Sequence, residues 1–251
     1  MTDSSAADGR AGNQAQDGQP GDGQAGGHPE RSNIDRRRTR ARSSPSPAYL
    51  NRRRELIDAA ARVMSRKGVT ETTLGDIARE AGTDRASIYY YVKGKEELLA
   101  ELLRSALTAN TESFREIVAQ PGPASAKLRS IVHRWMASYD ANFPYLYVWV
   151  YEDPSRLQGI DSAVLDEMID LSQQGYELVR EVIAEGVGNG EFRSALPVGV
   201  LAQSAIGLVA WTYRWYEPGH DLTAHEIADG LADLLLSGLG GSGGAELVAK
   251  G

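Results

Sequence analysis

The chain has 251 residues, 41% hydrophobic and 24% charged, with a formal net charge of −7 and no cysteine. That length supports one or two domains with a real core, and the lack of cysteine excludes disulfides, thiolate metal sites and cysteine nucleophiles while suiting a reducing cytoplasm. The longest apolar runs, such as Ala205 to Trp211, fall far short of the roughly 20 residues that span a bilayer, and the N-terminus lacks the basic-then-apolar pattern of a signal peptide, so neither a membrane partner nor export is expected.

The acidic total conceals a division. Residues 31–48 hold six arginines against one acid, and residues 49–97 hold ten basic against eight acidic residues. Residues 98–251 hold ten basic against twenty acidic. A basic N-terminal third on an acidic body points to phosphate contact at one end and a different task at the other.

Residues 1–48 are rich in Gly, Gln, Asp, Ser and Ala and almost free of apolar side chains. They cannot bury enough surface to offset ordering entropy, so a disordered tail is expected. Its basic run, Arg36 to Arg42, reads either as a solvated tail or as an arm along DNA.

Helical periodicity begins after Pro47. Leu56, Ala60, Val63 and Met64 share one face of a first helix, which Arg66, Lys67 and an αL Gly68 would end. Thr73 can cap a second helix whose apolar residues Leu74, Ile77, Ala78 and Ala81 recur at helical spacing up to Gly82. A short third helix follows from about Asp84 to Tyr91. A fourth begins near Lys93 with Leu98, Leu99, Leu102 and Leu103 apolar. Beyond Pro121-Gly122-Pro123, helical patterns run over 124–141, 144–152, 161–188, 197–216 and 223–238, and no segment alternates with period two. An all-α chain is expected, with a DNA-binding domain over 50–110, a second helical domain over 111–238 and a loose tail over 239–251.

The second and third helices have the pattern of a helix-turn-helix over residues 73–92. Ala78 is small where two helices must cross, Gly82 tolerates positive φ in the turn, and Ile88 faces back on the third helix, with Ile77, Ala81 and Tyr91 completing the inward side. The outward side is Thr83, Arg85, Ala86, Ser87, Tyr89 and Tyr90. Arginine pairs with guanine, hydroxyls and phenols reach bases or phosphates, and Ala86 permits close approach, which suits a major groove. Arg52 and Arg53 before the first helix, and Lys93 and Lys95 after the third, are natural phosphate contacts. The ordinary alternative is a plain helical hairpin.

The run Thr72-Thr73-Leu74-Gly75-Asp76-Ile77-Ala78-Arg79-Glu80-Ala81-Gly82-Thr83-Asp84-Arg85-Ala86-Ser87-Ile88-Tyr89-Tyr90-Tyr91-Val92-Lys93-Gly94-Lys95-Glu96-Glu97-Leu98 resembles the TetR family of bacterial transcriptional regulators over about Leu50 to Asn110. The resemblance implies an all-helical homodimer with three DNA-binding helices and a C-terminal domain that dimerises and binds a small inducer. It implies backbone contacts from Thr73 and Lys95, and base or phosphate contacts from Thr83, Arg85, Ala86, Ser87, Tyr89 and Tyr90. Val92 stands where Phe is usual, and Gly75 stands where a basic residue is common, which removes a contact.

In the C-terminal half, eleven of eighteen aromatic residues fall in two stretches. Core and interface packing explains any one of them; together they suggest an apolar effector pocket from Trp135, Tyr139, Phe143, Tyr147, Tyr151, Trp211 and Trp215, with Arg214 as an anion partner. The stripes Leu201, Ala205, Leu208 with Val209, and Ile227, Leu231, Leu234 with Leu235, are expected to pair with their symmetry mates in a four-helix dimer interface. The segment Trp211 to Pro218 with Leu222-Thr223 and Glu226 to Ala228 is similar to an actinobacterial subset of the family, several members of which respond to acyl-coenzyme A thioesters. The reading is a repressor released from a palindromic operator by a small organic effector. A constitutive DNA-binding or partner-docking protein without a ligand is the alternative.

No cofactor is expected. The four histidines show no HxxxH or HxxE pattern, so no metal is expected. Gly186-x-Gly188-x-Gly190 follows a helix and reads as a helix end, not a nucleotide loop. No Ser-His-acid or paired-carboxylate pattern supports an enzyme.

Overall fold

The computed structural model describes residues 45–143, 145, 146, 149, 160–219 and 221–240. The basic run Arg36 to Arg42, Tyr147, Tyr151 and the C-terminal tail beyond residue 240 lie outside the described residues. Helix is the only regular secondary structure among the described residues, as the periodicity requires.

The first helix, α1 (Pro47–Lys67), starts earlier than Leu50 and so contains Arg52 and Arg53, which were expected to precede it. Ser46 explains the start: its Oγ accepts from the Tyr49 amide at 3.2 Å, and Pro47 loses no hydrogen bond at the first position. Gly68 ends α1 at φ 78° and ψ 159°, an extended mirror-image conformation in place of the expected αL, and its N–H reaches Met64 O at 2.8 Å.

Thr73 caps α2 (Leu74–Glu80) in a reciprocal box. Its Oγ1 accepts from the Asp76 amide at 3.2 Å, and its own amide donates to Asp76 Oδ2 at 3.2 Å. At the other end Gly82, at φ 63°, makes a Schellman turn: Thr83 N–H reaches Ala78 O at 2.9 Å and Gly82 N–H reaches Arg79 O at 3.2 Å. Nothing lies within 4 Å of where a Cβ on Gly82 would stand, so conformation, not space, demands glycine. Asp84 then caps α3 (Arg85–Tyr91), accepting from the Ala86 and Ser87 amides at 2.8 Å each. Ile77, Ala78 and Ile88 are buried at the crossing as expected.

α4 (Lys95–Ala119) runs 25 residues without a break through residue 110, the expected domain boundary. Leu98, Leu99, Leu102 and Leu103 are buried against the first three helices. The remainder is built from α5 (Ala124–Ala141), α6 (Ser162–Gly188), α7 (Val198–Trp211), a short 3₁₀ turn (Thr212–Arg214) and α8 (Ala224–Gly240). One core cluster joins Leu56, Met64, Ile77, Ile88 and Leu103 to Met136, Tyr139, Tyr213 and Leu231, so the two halves share apolar packing. A second cluster packs Phe114 and Leu128 with Val182, Ile183, Phe192 and Ala202. Glycine at 186 is a matter of space: a Cβ there would lie 2.2 Å from the Phe192 ring. With Gly190 at φ 79°, the glycine run is a helix end and turn, as expected.

Candidate nucleic-acid interface and ligand cavity

The outward side of α3 is open to solvent. Arg85, Ala86, Ser87, Tyr89 and Tyr90 are exposed and Thr83 is half-buried. Thr73, Gly75, Arg79, Thr83, Arg85, Tyr89, Lys93 and Lys95 line one concavity of about 920 Å³ between the second and third helices and the start of α4. Arg79 was not singled out from the sequence, although its position on the outer side of α2 is the signal that could have found it.

Local caps fix this surface. Asp84 Oδ2 takes the Ser87 hydroxyl at 2.5 Å, and that bond with the amides of Ser87 and Ala86 holds the carboxylate below its ordinary range. The Ser87 hydroxyl is thus partly committed to capping. Asp76 is held lower still by hydrogen bonds from Lys67 and Thr73, with Arg79 at 3.1 Å. Glu80 bridges Arg62 and Arg66 on α1 at 2.7 and 2.5 Å, and these lower its pKa. Tyr90 meets Tyr49 and Tyr91 edge-on, with ring centroids 6.0 and 5.1 Å apart.

The flanking cations divide. Arg53 is engaged inside the protein: its guanidinium holds Glu101 at 2.8 Å and Glu97 at 3.1 Å. Burial lowers its pKa, but the Glu101 and Glu97 bonds outweigh that and leave it raised. The expected phosphate contact is corrected to a tie between α1 and α4. Lys95 donates from Nζ to Val69 O at 3.0 Å and Thr70 O at 2.9 Å, so it clips the loop before α2 while still lining the concavity. Arg52 pairs with Glu55 one turn along α1. Lys93 is exposed.

A second concavity, about 440 Å³, lies among α4, α5, α6 and α7. Its wall is largely apolar: Leu107, Phe114, Trp135, Leu146, Trp149, Ile169, Tyr176, Ile206 and Tyr213, with Asn110, Thr111, Ser172, Gln173 and Gln203 as polar members and no charged side chain among the described residues. The volume is that of a small-molecule site. Of the expected pocket residues that are described, only Trp135 lines it. Tyr139 is fully buried in the core, its hydroxyl donating to Tyr213 O at 3.1 Å, and Phe143 packs edge-on against it. Trp211 and Trp215 are 60% and 52% exposed, outside the cavity, because the chain leaves α7 there for the 3₁₀ turn. Arg214 stands 5.8 Å over the Trp211 ring and is corrected from a pocket anion partner to a surface residue. The sequence reading missed α4 and α6 as walls. Leu107, Asn110, Thr111 and Phe114, at i, i+3, i+4 and i+7, were the available signal.

The expected dimer stripes turn inward. Leu201, Ala205, Ile227 and Leu231 are buried in the protomer's own core, Leu208 is half-buried, and only Leu234 is exposed, at 66%. Periodicity located the apolar side correctly, but that side faces the core of the same chain. The outward faces carry Val200, Ser204, Gly207 and Trp211 on α7 and Gly230, Leu234 and Ser237 on α8.

His133 on α5 and His225 on α8 flank Asp229, at 3.0 and 3.1 Å from its two oxygens, and all three ligand atoms lie within 4.8 Å of one another. His225 and Asp229 are four apart, a HxxxD spacing outside the patterns considered from sequence. Two imidazoles and a carboxylate are ligands a divalent cation accepts, although Arg129 already stands 3.6 Å from Asp229. No helix among the described residues is long and apolar enough to cross a membrane.

Residues 56–102 match the family described as bacterial regulatory proteins of the tetR family. Residues 121–239 match the tetracyclin repressor-like C-terminal domain. The chain is 32% identical over 189 residues, covering 75% of itself and 91% of the relative, to the HTH-type transcriptional repressor KstR2 of Rhodococcus jostii. The structure of the ketosteroid transcriptional regulator KstR2 of Mycobacterium tuberculosis superimposes with a TM-score of 0.64 at 26% identity, over 76% of this chain and 96% of that one. FadR of Bacillus subtilis, solved with stearoyl-CoA, shares the fold with a TM-score of 0.58 at 21% identity, over 73% of this chain and 97% of that one.

Proposed function

The chain belongs to the TetR family of transcriptional regulators, and from that premise we propose that it is a homodimeric repressor, freed from a palindromic operator when a small organic effector enters the cavity among α4–α7. One observation carries this reading. α4 supplies four residues to the uncharged cavity and, one to three turns earlier, packs its leucines on the helix-turn-helix. A ligand that repositions α4 therefore acts on α2 and α3 through packed side chains and through Arg53.

In this reading Arg85 pairs with a guanine edge, and Thr83, Ser87, Tyr89 and Tyr90 contact bases or phosphate around the short Ala86. Thr73, Arg52, Lys93 and Lys95 hold the backbone, joined by Arg79. The DNA-binding unit ends within α4 near residue 110 and the effector unit occupies 111–238. The outward faces of α7 and α8 pair two protomers, so that the recognition helices stand about one DNA turn apart. An acyl-coenzyme A thioester suits the cavity: a neutral acyl group fits an uncharged wall, with the nucleotide phosphates outside. The stearoyl-CoA bound to FadR of Bacillus subtilis supports that class. The protein acts in the cytoplasm and not as an enzyme. A cavity of this size favours ligand response over a constitutive DNA-binding protein.

The test is to sequence genomic DNA selected by the purified protein, then titrate decanoyl-coenzyme A against the labelled operator. The expected results are a pseudo-palindrome and release of the DNA. An operator complex indifferent to acyl-coenzyme A thioesters would refute the ligand class and leave DNA binding standing.

A further inference from the structure

Asn110 is 7% exposed, lines the cavity, and its Oδ1 has no hydrogen-bond partner among the described residues. A buried acceptor left unsatisfied costs free energy comparable to a lost hydrogen bond, so its retention needs an occasion on which it is satisfied. Three donors of the wall are already used within it. The Thr111 hydroxyl donates to Leu171 O at 3.2 Å, the Ser172 hydroxyl to Met168 O at 3.0 Å, and the Trp135 indole to the Tyr213 hydroxyl at 2.5 Å. The described residues of the wall include no charged side chain, so among them an ionised ligand group would lie unpaired.

We infer that the buried part of the effector is neutral, mostly apolar and bears a hydroxyl, which donates to Asn110 Oδ1. This rests on the cavity being the effector site, as proposed above, and deepens it from an acyl group in general to a hydroxylated one. Asn110 is then the residue that separates a hydroxylated acyl group from its saturated parent. A site built to receive a hydrogen bond rejects the analogue lacking it more strongly than a site of the same shape rejects a missing methylene.

The experiment measures affinity by calorimetry for decanoyl-coenzyme A, its monohydroxylated positional isomers and the matching keto isomers, with the full-length protein and with Asn110→Leu. At least one hydroxy isomer should bind the wild-type protein about tenfold more tightly than the parent, and its keto counterpart, which has no donor, should show no such gain. In Asn110→Leu the hydroxyl advantage should vanish and the parent should bind as well as before or better. The inference is overturned if every hydroxy isomer binds no better than the parent, if the keto isomers gain equally, or if the preference survives in Asn110→Leu. The hydroxy-against-keto comparison needs only the wild-type protein, so an unfolded variant does not rescue the idea. If no compound in the series binds at all, the acyl-coenzyme A reading falls as well, and the two failures are thereby told apart.

Discussion

The recognition surface and the ligand cavity differ in how their polar groups are satisfied. Around α2 and α3, polar groups find partners close in sequence: Thr73 with Asp76, Asp84 with Ser87, Thr83 with Ala78. The cavity draws on α4, α5, α6 and α7, and one of its buried acceptors, Asn110 Oδ1, has no partner among the described residues. The recognition surface is held mainly by local caps, whereas the proposed effector cavity keeps an acceptor that the described residues leave open. α4 belongs to both.

The largest expected effect tests whether the two regions are energetically one body. Leu103 on α4 is fully buried in the cluster that joins them, so Leu103→Ala should cost about 2–5 kcal/mol. Urea denaturation should show a single shifted transition; two transitions with only one displaced would show that the halves unfold independently.

Next is Arg85→Ala, which should cost about 1–3 kcal/mol of discrimination between the operator and single-base variants while leaving helical circular dichroism unchanged. Unaltered discrimination would remove Arg85 from base readout. Arg53→Met should lower stability by about 1–2 kcal/mol through loss of its charge-assisted bonds to Glu97 and Glu101. The slope of operator affinity against log salt should stay the same, whereas a true phosphate contact would reduce it by about 1.

The smallest effect concerns pH. Asp76, Glu80 and Asp84 have folded values below their ordinary 3.8, 4.5 and 3.8. Their stabilisation is therefore present above those ordinary values and is lost as pH falls through the lower, folded ones. The melting temperature should decline on acidification below about pH 4.5, and Asp76→Asn should flatten part of that decline. The described residues of the cavity wall carry no charge and add nothing to it.

The same contrast explains what was legible in the sequence. Gly82, Thr73 and the buried Ala78 and Ile88 were readable because their geometry is decided within a few residues. The internal bonds of Arg53 and Lys95 were not readable because their partners lie 44 and 48 residues, and 25 and 26 residues, away, and no local pattern records them. The helices of the C-terminal half were found from periodicity, but periodicity says which side is apolar and not what it meets. Leu201, Ala205, Ile227 and Leu231 consequently looked like an interface and are core. Aromatic clustering drew attention to Trp211 and Trp215, while Asn110, set beside Thr111 between Leu107 and Phe114 on α4, was the more telling signal.

The central claim is that the cavity and the recognition helices are coupled through α4. Its most direct test is the affinity of the protein for decanoyl-coenzyme A, measured by calorimetry with and without saturating operator DNA. Coupling is reciprocal, so operator should weaken ligand binding by the same factor by which ligand weakens operator binding, about 5–150-fold for typical allosteric proteins. Ligand binding of equal strength in both conditions would contradict the account.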